Sequence, residues 1–291
     1  MRAYIAGAWV LAVLSLASFT SPETADQVRF AAAGQDPNDV ARFLALALPM
    51  AALLWDTETN WGMRLVSLGF LPLGFFSILL TASREGFLAA LIAAIGCAFL
   101  VLRRGGGRLI SVIFVVPAIV AAIWITVPQV TLERLATIPA QLQSGDLNQR
   151  INIWAAGCLA FIRAPFFGSG AGSFVTAAGL APIDTAHNTL LSLGVEGGMV
   201  AIGLSMAIVL VCSRAALRII GPLRIGMVTL LAVWCITTFA ATVEKNRSTW
   251  FLLGLIACAG RLAGEQPEAL AECFFVGEEK AVASTVASQA G

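Results

Sequence analysis

Long apolar stretches, each close to the length that crosses a lipid bilayer, recur along this chain and constrain its fold more than any other feature. A membrane-spanning helix needs about 20 mainly apolar residues, with a tolerance of roughly 17 to 25. Stretches of this kind occupy residues 3–19, 38–55, 63–82, 86–102, 109–126, 187–212, 225–243 and 247–263. The pattern predicts an all-α protein, a polytopic transmembrane helix bundle with about eight spans.

Composition indicates the same class. Hydrophobic residues make up 58% of the chain and charged residues 12%, whereas a soluble domain carries about 25% charged residues. The formal net charge is +1 and the arginines are scattered, so no nucleic-acid partner is expected. The six cysteines form no Cys-x-x-Cys pair, and no His and carboxylate cluster has metal-ligand spacing. We therefore expect neither a disulfide framework nor a bound metal or cofactor.

Arginine-rich short loops predict the orientation of the bundle, because positive residues in such loops favour the cytoplasmic side. Two tight connections carry three arginines each, namely Arg103, Arg104 and Arg108 in one and Arg214, Arg218 and Arg224 in the other. Placing both inside leaves four segments on the outer side: residues 20–37, 83–85, 127–186 and 244–247.

The chain is predicted to form a single transmembrane domain, residues 1–263, followed by a tail. Met1-Arg2 and the apolar run after them resemble a signal peptide, but the run is long enough to be retained as the first span. Residues 264–291 are rich in Ala, Glu, Gln and Ser, which predicts a disordered cytoplasmic tail.

Residues 127–186 form the longest polar connection and are predicted to be a large external loop region, which at this length is usually functional. Within it, residues 150–163 form an amphipathic run that predicts a helix at the membrane interface, with Trp154 at headgroup level and Pro165 ending the helix. The glycine-rich run 168–172 lacks the lysine and the preceding strand of a phosphate loop.

Three polar landmarks map to the predicted outer side: Arg84, Arg150 and His187, the only histidine of the chain. Arginine stays protonated and offers paired donors to anionic oxygens, so Arg84 and Arg150 are candidate ligands of a diphosphate. An imidazole titrates near neutral pH, which makes His187 the candidate catalytic base. The alternatives are an arginine reaching lipid headgroups at position 84, a surface charge at 150 and a structural histidine.

Four further residues are candidates for a supporting role: Asn188, Glu196, Lys245 and Arg247. Asn188 either orients the imidazole or a sugar hydroxyl, or caps a helix. Glu196 lies about 13 Å deeper along a helix than His187, and the glycines around it favour a packing role. Lys245 and Arg247 either add positive potential for a diphosphate or acidic glycan or anchor lipid headgroups, and the second alternative is favoured.

Several short motifs follow one another in a fixed order between residues 36 and 255. They are Asp36-Pro37-Asn38, then Thr81-Ala82-Ser83-Arg84-Glu85-Gly86, Arg150 before Trp154, Pro165 with Phe167-Gly168-Ser169-Gly170, and Ala186-His187-Asn188 with Glu196-Gly197. In this order they resemble the O-antigen ligase and O-antigen polymerase family of membrane glycosyltransferases. Members of that family usually have more spans, so the resemblance also implies a chain shortened on its N-terminal side.

The resemblance implies transfer of a glycan from a polyprenyl diphosphate carrier to an acceptor hydroxyl, without a nucleotide sugar or a metal. It implies a reaction at the external face of a bacterial inner membrane, with inversion at the sugar carbon by a direct, base-assisted attack. The acceptor is either the core of lipid A, for a ligase, or another glycan unit, for a polymerase. Membrane lipids are the other expected partners.

Two other classes of function remain open. A lipid or glycan transporter usually has its polar groups near the bilayer midplane on broken helices, whereas Arg84, Arg150 and His187 map to the outer boundary. A non-catalytic assembly subunit would keep the fold without the activity.

Overall fold

The computed structural model describes residues 1–24, 27–103, 127–140 and 149–265. In chain order, its helices are α1 (Arg2–Thr20), α2 (Pro37–Thr57), α3 (Trp61–Leu80), α4 (Arg84–Leu102), α5 (Gln129–Ala136), α6 (Arg150–Arg163), α7 (Phe174–Ala178), α8 (Thr189–Arg218), α9 (Gly221–Thr238) and α10 (Arg247–Glu265). A short 3₁₀ turn, Pro22–Thr24, follows α1. No strand occurs in these residues, and the predicted all-α class is confirmed.

Among the described residues, six helices are long and apolar enough to cross a membrane, namely α1, α2, α3, α4, α8 and α9, and they match six of the eight predicted spans. The predicted span 247–263 forms α10, which is not one of those six. The predicted span 109–126 and residues 266–291 of the predicted tail lie outside the described residues. α9 ends at Thr238, before the predicted boundary, because the chain then turns and the Val243 amide donates to Thr189 Oγ1 at 3.0 Å.

α2 is the most buried of the six helices and packs against α1, α3, α4 and α9. The Asp36 carboxylate sets its start by accepting hydrogen bonds from the amides of Asn38 and Asp39. Small residues let neighbouring spans approach closely. A Cβ on Gly96 of α4, for example, would lie 2.1 Å from Thr229 Oγ1 of α9.

α6 forms over the predicted residues and ends before Pro165, as predicted. Its buried residues Ile153, Gly157 and Ala160 recur at helical spacing on the face that packs against α7 and α8. The Trp154 indole N–H donates to the backbone oxygen of Ala186 at 2.9 Å. α6 is thereby tied to the residue that precedes His187. The position of Trp154 at the membrane interface stays a prediction.

α8 is broken at Gly198, where φ is 64° and ψ is −160°. The loop 165–170 enters the break and provides hydrogen-bond partners on both sides. Four backbone bonds of 2.7–3.3 Å form there: Ser169 N to Val195 O, Gly170 N to Glu196 O, Met199 N to Pro165 O and Val200 N to Phe166 O. A Cβ on Gly198 would lie 2.3 Å from the Phe166 carbonyl, so glycine is required by both conformation and space.

The alternating direction of the helices brings residues 21–24, 27–36, 81–83 and 239–246 to one end of the bundle, which we call the site end. Two contacts illustrate this: the Phe30 amide donates to Leu80 O at 2.9 Å, and Thr189 Oγ1 donates to Ala241 O at 2.8 Å. The opposite end carries residues 58–60, 103 and 219–220. The side of the membrane that each end faces stays a prediction, as do the boundaries of the external region and the tail.

Candidate functional site

Each of the three predicted site residues lies at or beside a left-handed backbone position. In the described ranges, the non-glycine residues with positive φ are Ala82 (48°), Gln149 (64°) and His187 (46°). Ala82 is two residues before Arg84, and Gln149 immediately precedes Arg150. The left-handed conformation costs a non-glycine residue on the order of 1–2 kcal/mol, and such strain tends to concentrate at functional sites.

Arg84 is the first residue of α4, where Ser83 caps the helix by accepting a hydrogen bond from the Gly86 amide at 3.1 Å. Its side chain reaches across to the C-terminal end of α5. Nε donates to Arg134 O at 3.2 Å, and Nη2 donates to Thr137 Oγ1 at 2.6 Å. The guanidinium therefore lies against the negative end of a short helix.

Arg150 begins α6, and its guanidinium lies beside a buried carboxylate. Nη2 is 3.9 Å from Glu85 Oε2, while Arg42 Nη1 donates to Glu85 Oε1 at 3.3 Å. Arg42 also pairs with Asp39 one turn earlier in α2. Glu85 thus joins α2 and α6 in one ion network, which we call the Glu85 network (Asp39, Arg42, Glu85 and Arg150).

His187 precedes α8, and its Nε2 lies 3.1 Å from Thr185 Oγ1. Burial lowers the pKa of the imidazole, and the positive charge of Arg150 lowers it further. Arg42 adds to this effect, while Asp36 and Asp184 oppose it. A pKa below the usual 6.5 keeps the ring neutral at pH 7, the form that accepts a proton.

Arg150 lies within electrostatic reach of both other landmarks, since its charge acts on Arg84 as well as on His187. The fold therefore brings residues 84, 150 and 187, which are far apart in the chain, to the same end of the bundle. No hydrogen bond or ion pair joins them to each other in the described part of the chain.

The four supporting candidates differ in their surroundings. Asn188 caps α8, because its Oδ1 accepts a hydrogen bond from the Leu191 amide at 3.0 Å. Glu196 lies in the first part of α8, two residues before the break at Gly198. Its Oε1 lies 2.9 Å from Lys245 Nζ and its Oε2 accepts a hydrogen bond from the Gly172 amide at 2.8 Å. The positive charge of Lys245 is therefore compensated by a carboxylate.

Arg247 is the exposed first residue of α10. Across the described ranges, no hydrogen bond or ion pair links it to Arg84, Arg150 or His187. The structure thus offers this arginine no direct contact with the three landmarks.

Four charged residues at this end were missed by the sequence prediction: Arg29, Arg42, Glu85 and Arg134. Arg29 Nε donates to Thr81 O at 3.0 Å and its Nη2 donates to Asn38 Oδ1 at 2.6 Å. A signal existed for Arg42, because a charge inside a predicted span indicates a buried partner. Nothing in the local sequence singled out Arg29 or Arg134.

The arrangement combines several guanidinium groups with a neutral imidazole at one end of a helix bundle. Guanidinium groups bind anionic oxygens through paired donors, and a neutral imidazole accepts a proton. The site is therefore suited to binding an anionic substrate and removing a proton from a nucleophile.

A protein-family model described as O-antigen ligase matches residues 69–206. The matched region contains Arg84, Arg150, His187 and Glu196. No curated protein matches the chain.

Proposed function

We propose that the chain is a member of the O-antigen ligase family, whose model matches residues 69–206, and that it transfers a glycan from a polyprenyl diphosphate carrier to an acceptor hydroxyl. The family implies glycan and lipid-linked substrates in general. The specific donor, the roles of individual residues and the course of the reaction are the parts that we propose.

One observation supports these roles above the others: α6, which begins with Arg150, is tied to both other landmarks. Arg150 Nη2 lies 3.9 Å from Glu85, the neighbour of Arg84, and Trp154 of the same helix donates at 2.9 Å to the residue before His187. A base and two cations within mutual electrostatic reach can serve a single substrate. The left-handed backbone at His187 adds support, since 46° is an unfavourable φ for a histidine unless the surroundings enforce it.

In the proposed reaction, the acceptor oxygen forms a bond to the anomeric carbon of the donor sugar from the face opposite the diphosphate. The bond from that carbon to the diphosphate oxygen breaks, and its electron pair leaves with the polyprenyl diphosphate. The proton of the acceptor hydroxyl passes to the neutral imidazole of His187. Direct attack inverts the sugar carbon, and the step uses no metal.

Arg84 and Arg150 have the role of stabilising the negative charge that develops on the leaving diphosphate. A charge-assisted hydrogen bond contributes about 1.5–3 kcal/mol, and fixed donors in a site shielded from water contribute more. Asn188 holds the start of α8 beneath His187, and the Glu196–Lys245 pair holds the loop at Gly172.

We propose that the site end faces the periplasm at the bacterial inner membrane, where lipid-linked glycans and their acceptors meet. A lipid A core and another glycan both offer a suitable hydroxyl, so ligase and polymerase activities share this mechanism.

The test is a transfer assay with purified protein, a polyprenyl diphosphate glycan and both acceptors, in which product and released polyprenyl diphosphate are measured. Asparagine tolerates the left-handed region better than alanine, so His187→Asn removes the base while preserving the backbone. We expect the variant to retain donor binding and to lose about 10²- to 10⁴-fold in kcat.

Arg163→Gln serves as the matched control, because Arg163 is an exposed arginine at the far end of α6. Normal turnover by His187→Asn would rule out the proposed base. Movement of the donor across the membrane without release of polyprenyl diphosphate would indicate a transporter, and neither transfer nor movement would indicate an assembly subunit.

A further inference from the structure

Two groups of arginines lie at the site end, and they differ in how their charges are compensated. Arg42 and Arg150 belong to the Glu85 network and pair with its carboxylates. Arg29, Arg84 and Arg134, by contrast, form no ion pair with any carboxylate in the described ranges. We call these three the open arginine group.

Arg134 is the least satisfied member of the open arginine group. Its Nε is buried and has no hydrogen-bond partner in the described part of the chain. A buried charged donor without a partner is costly, and native structures rarely leave one unless a ligand completes it.

The three arginines also act on one another. Arg84 Nε donates to the backbone oxygen of Arg134 at 3.2 Å, so the two residues are in direct contact. The charge of Arg134 acts on both Arg84 and Arg29. Asp36 and Glu85 offset part of the positive potential at Arg29, whereas the charges that act on Arg84 are both positive. Like charges held together without an ion-paired carboxylate favour the binding of an anion.

Protein contacts orient the guanidinium groups of Arg29 and Arg84 while leaving donors unused. Each uses Nε and Nη2 on protein oxygens, and neither Nη1 makes a hydrogen bond within the described residues. α5, which carries Arg134, is held in place by Leu135, which belongs to a small buried apolar cluster with Leu79 and Val127. The donors are therefore preorganised rather than free surface charges.

We propose that Arg29, Arg84 and Arg134 form a phosphate-binding subsite in which Arg134 is a further substrate-binding residue. This inference rests on the proposed function and deepens it. A phosphate group carries several acceptor oxygens and matches arginine donors from three directions. The phosphate comes either from the donor diphosphate or from an anionic lipid headgroup.

The test measures binding of inorganic pyrophosphate to the full chain in nanodiscs of zwitterionic lipid. Loss of a charge-assisted contact typically weakens binding by about 10-fold or more, which is the change expected for Arg134→Gln. Arg134→Lys keeps the charge without the planar fork and should give an intermediate loss. Arg163→Gln, the matched control on α6, should bind as the natural protein does.

Binding of pyrophosphate by Arg134→Gln with unchanged affinity would overturn the subsite. If thermal unfolding shows that this variant does not fold, Arg134→Lys is tested in its place. Unchanged affinity of Arg134→Lys for pyrophosphate would likewise overturn the subsite. Binding is measured without turnover, so a natural protein that binds pyrophosphate through Arg134 but transfers no glycan would contradict the proposed function alone.

Two further arms identify the source of the phosphate. If a lipid headgroup occupies the subsite, anionic nanodiscs should weaken pyrophosphate binding to the natural protein but not to Arg134→Gln. If the donor diphosphate occupies it, Arg134→Gln should raise KM for the donor more than it lowers kcat, equally in both kinds of nanodisc. Each result supports the subsite and names its ligand.

Discussion

The two ends of the helix bundle differ in the surroundings of their arginine side chains. At the opposite end, Arg2 lies 2.7 Å from Glu58 and Arg103 lies 3.6 Å from Asp56, so both pair with carboxylates at the end of α2. Most of the other arginines at that end, Arg214, Arg218 and Arg224, have no ion pair among the described residues but are exposed. At the site end, the open arginine group has no carboxylate partner among the described residues and is half-buried, whereas Arg42 and Arg150 are paired.

The backbone shows the same contrast. The non-glycine residues with positive φ in the described ranges, Ala82, Gln149 and His187, all lie at the site end. Pairing charges and relaxing the backbone both stabilise a fold. An end that retains half-buried, uncompensated charge and backbone strain is therefore the end that we propose binds the ligand.

The largest effect on stability is expected from breaking the Glu85 network. Glu85→Gln leaves Arg150 beside a neutral side chain in a buried site, which should cost about 3 kcal/mol of unfolding free energy. At the opposite end, Arg2 is 63% exposed and its ion pair is screened by solvent, so Arg2→Gln should lower the unfolding free energy far less. Thermal or denaturant unfolding of both variants in detergent measures the difference, and equal losses would contradict the contrast between the ends.

A smaller effect is expected on catalysis from an arginine at each end. Arg84→Gln removes the donor that we propose for the leaving diphosphate and should lower kcat/KM by about 10- to 100-fold, equivalent to roughly 1.5–3 kcal/mol. Arg103→Gln removes the same chemical group at the opposite end and should leave kcat/KM unchanged. The two values come from the same transfer assay, and a similar loss in both would indicate a general effect on folding.

The pH dependence of transfer tests the electrostatic link between Arg150 and His187. Burial and the charge of Arg150 lower the pKa of His187, so the rate should fall only when the pH drops below the usual histidine range. Arg150→Gln removes a positive charge, which raises that pKa and moves the acid limb of kcat/KM to higher pH. Arg103→Gln should leave the acid limb of kcat/KM in place. An acid limb that does not move in Arg150→Gln would contradict the effect of Arg150 on His187.

The smallest effect concerns the strained backbone before Arg150. Gln149→Val places a β-branched side chain at a φ of 64° and should destabilise the fold by about 1–2 kcal/mol. Gln149→Gly should change stability by less than about 1 kcal/mol, because relief of strain offsets the greater freedom of the unfolded chain. Asn152→Val, on an exposed position of α6, is the control and should have almost no effect.

Local patterns in the sequence predicted the helices more accurately than they predicted the contacts between them. The boundaries of α6 followed from the amphipathic run and from Pro165. The break in α8 was not predicted, although Gly197 and Gly198 were noted as packing residues. A glycine indicates only that a break is permitted, and the four hydrogen bonds from loop 165–170 are what stabilise it.

The sequence by itself determined the membrane class, most of the spans and the three landmarks at one end, because hydropathy and helical period depend on neighbouring residues. Only the tertiary structure decided that Glu85 pairs with Arg42 and Arg150, and that Arg134 contacts Arg84 without a carboxylate. Whether a charge is compensated depends on which side chains the packing of the helices brings within a few ångströms of it. Those side chains come from segments that are far apart in the chain, so no local sequence pattern predicts which of them will pair.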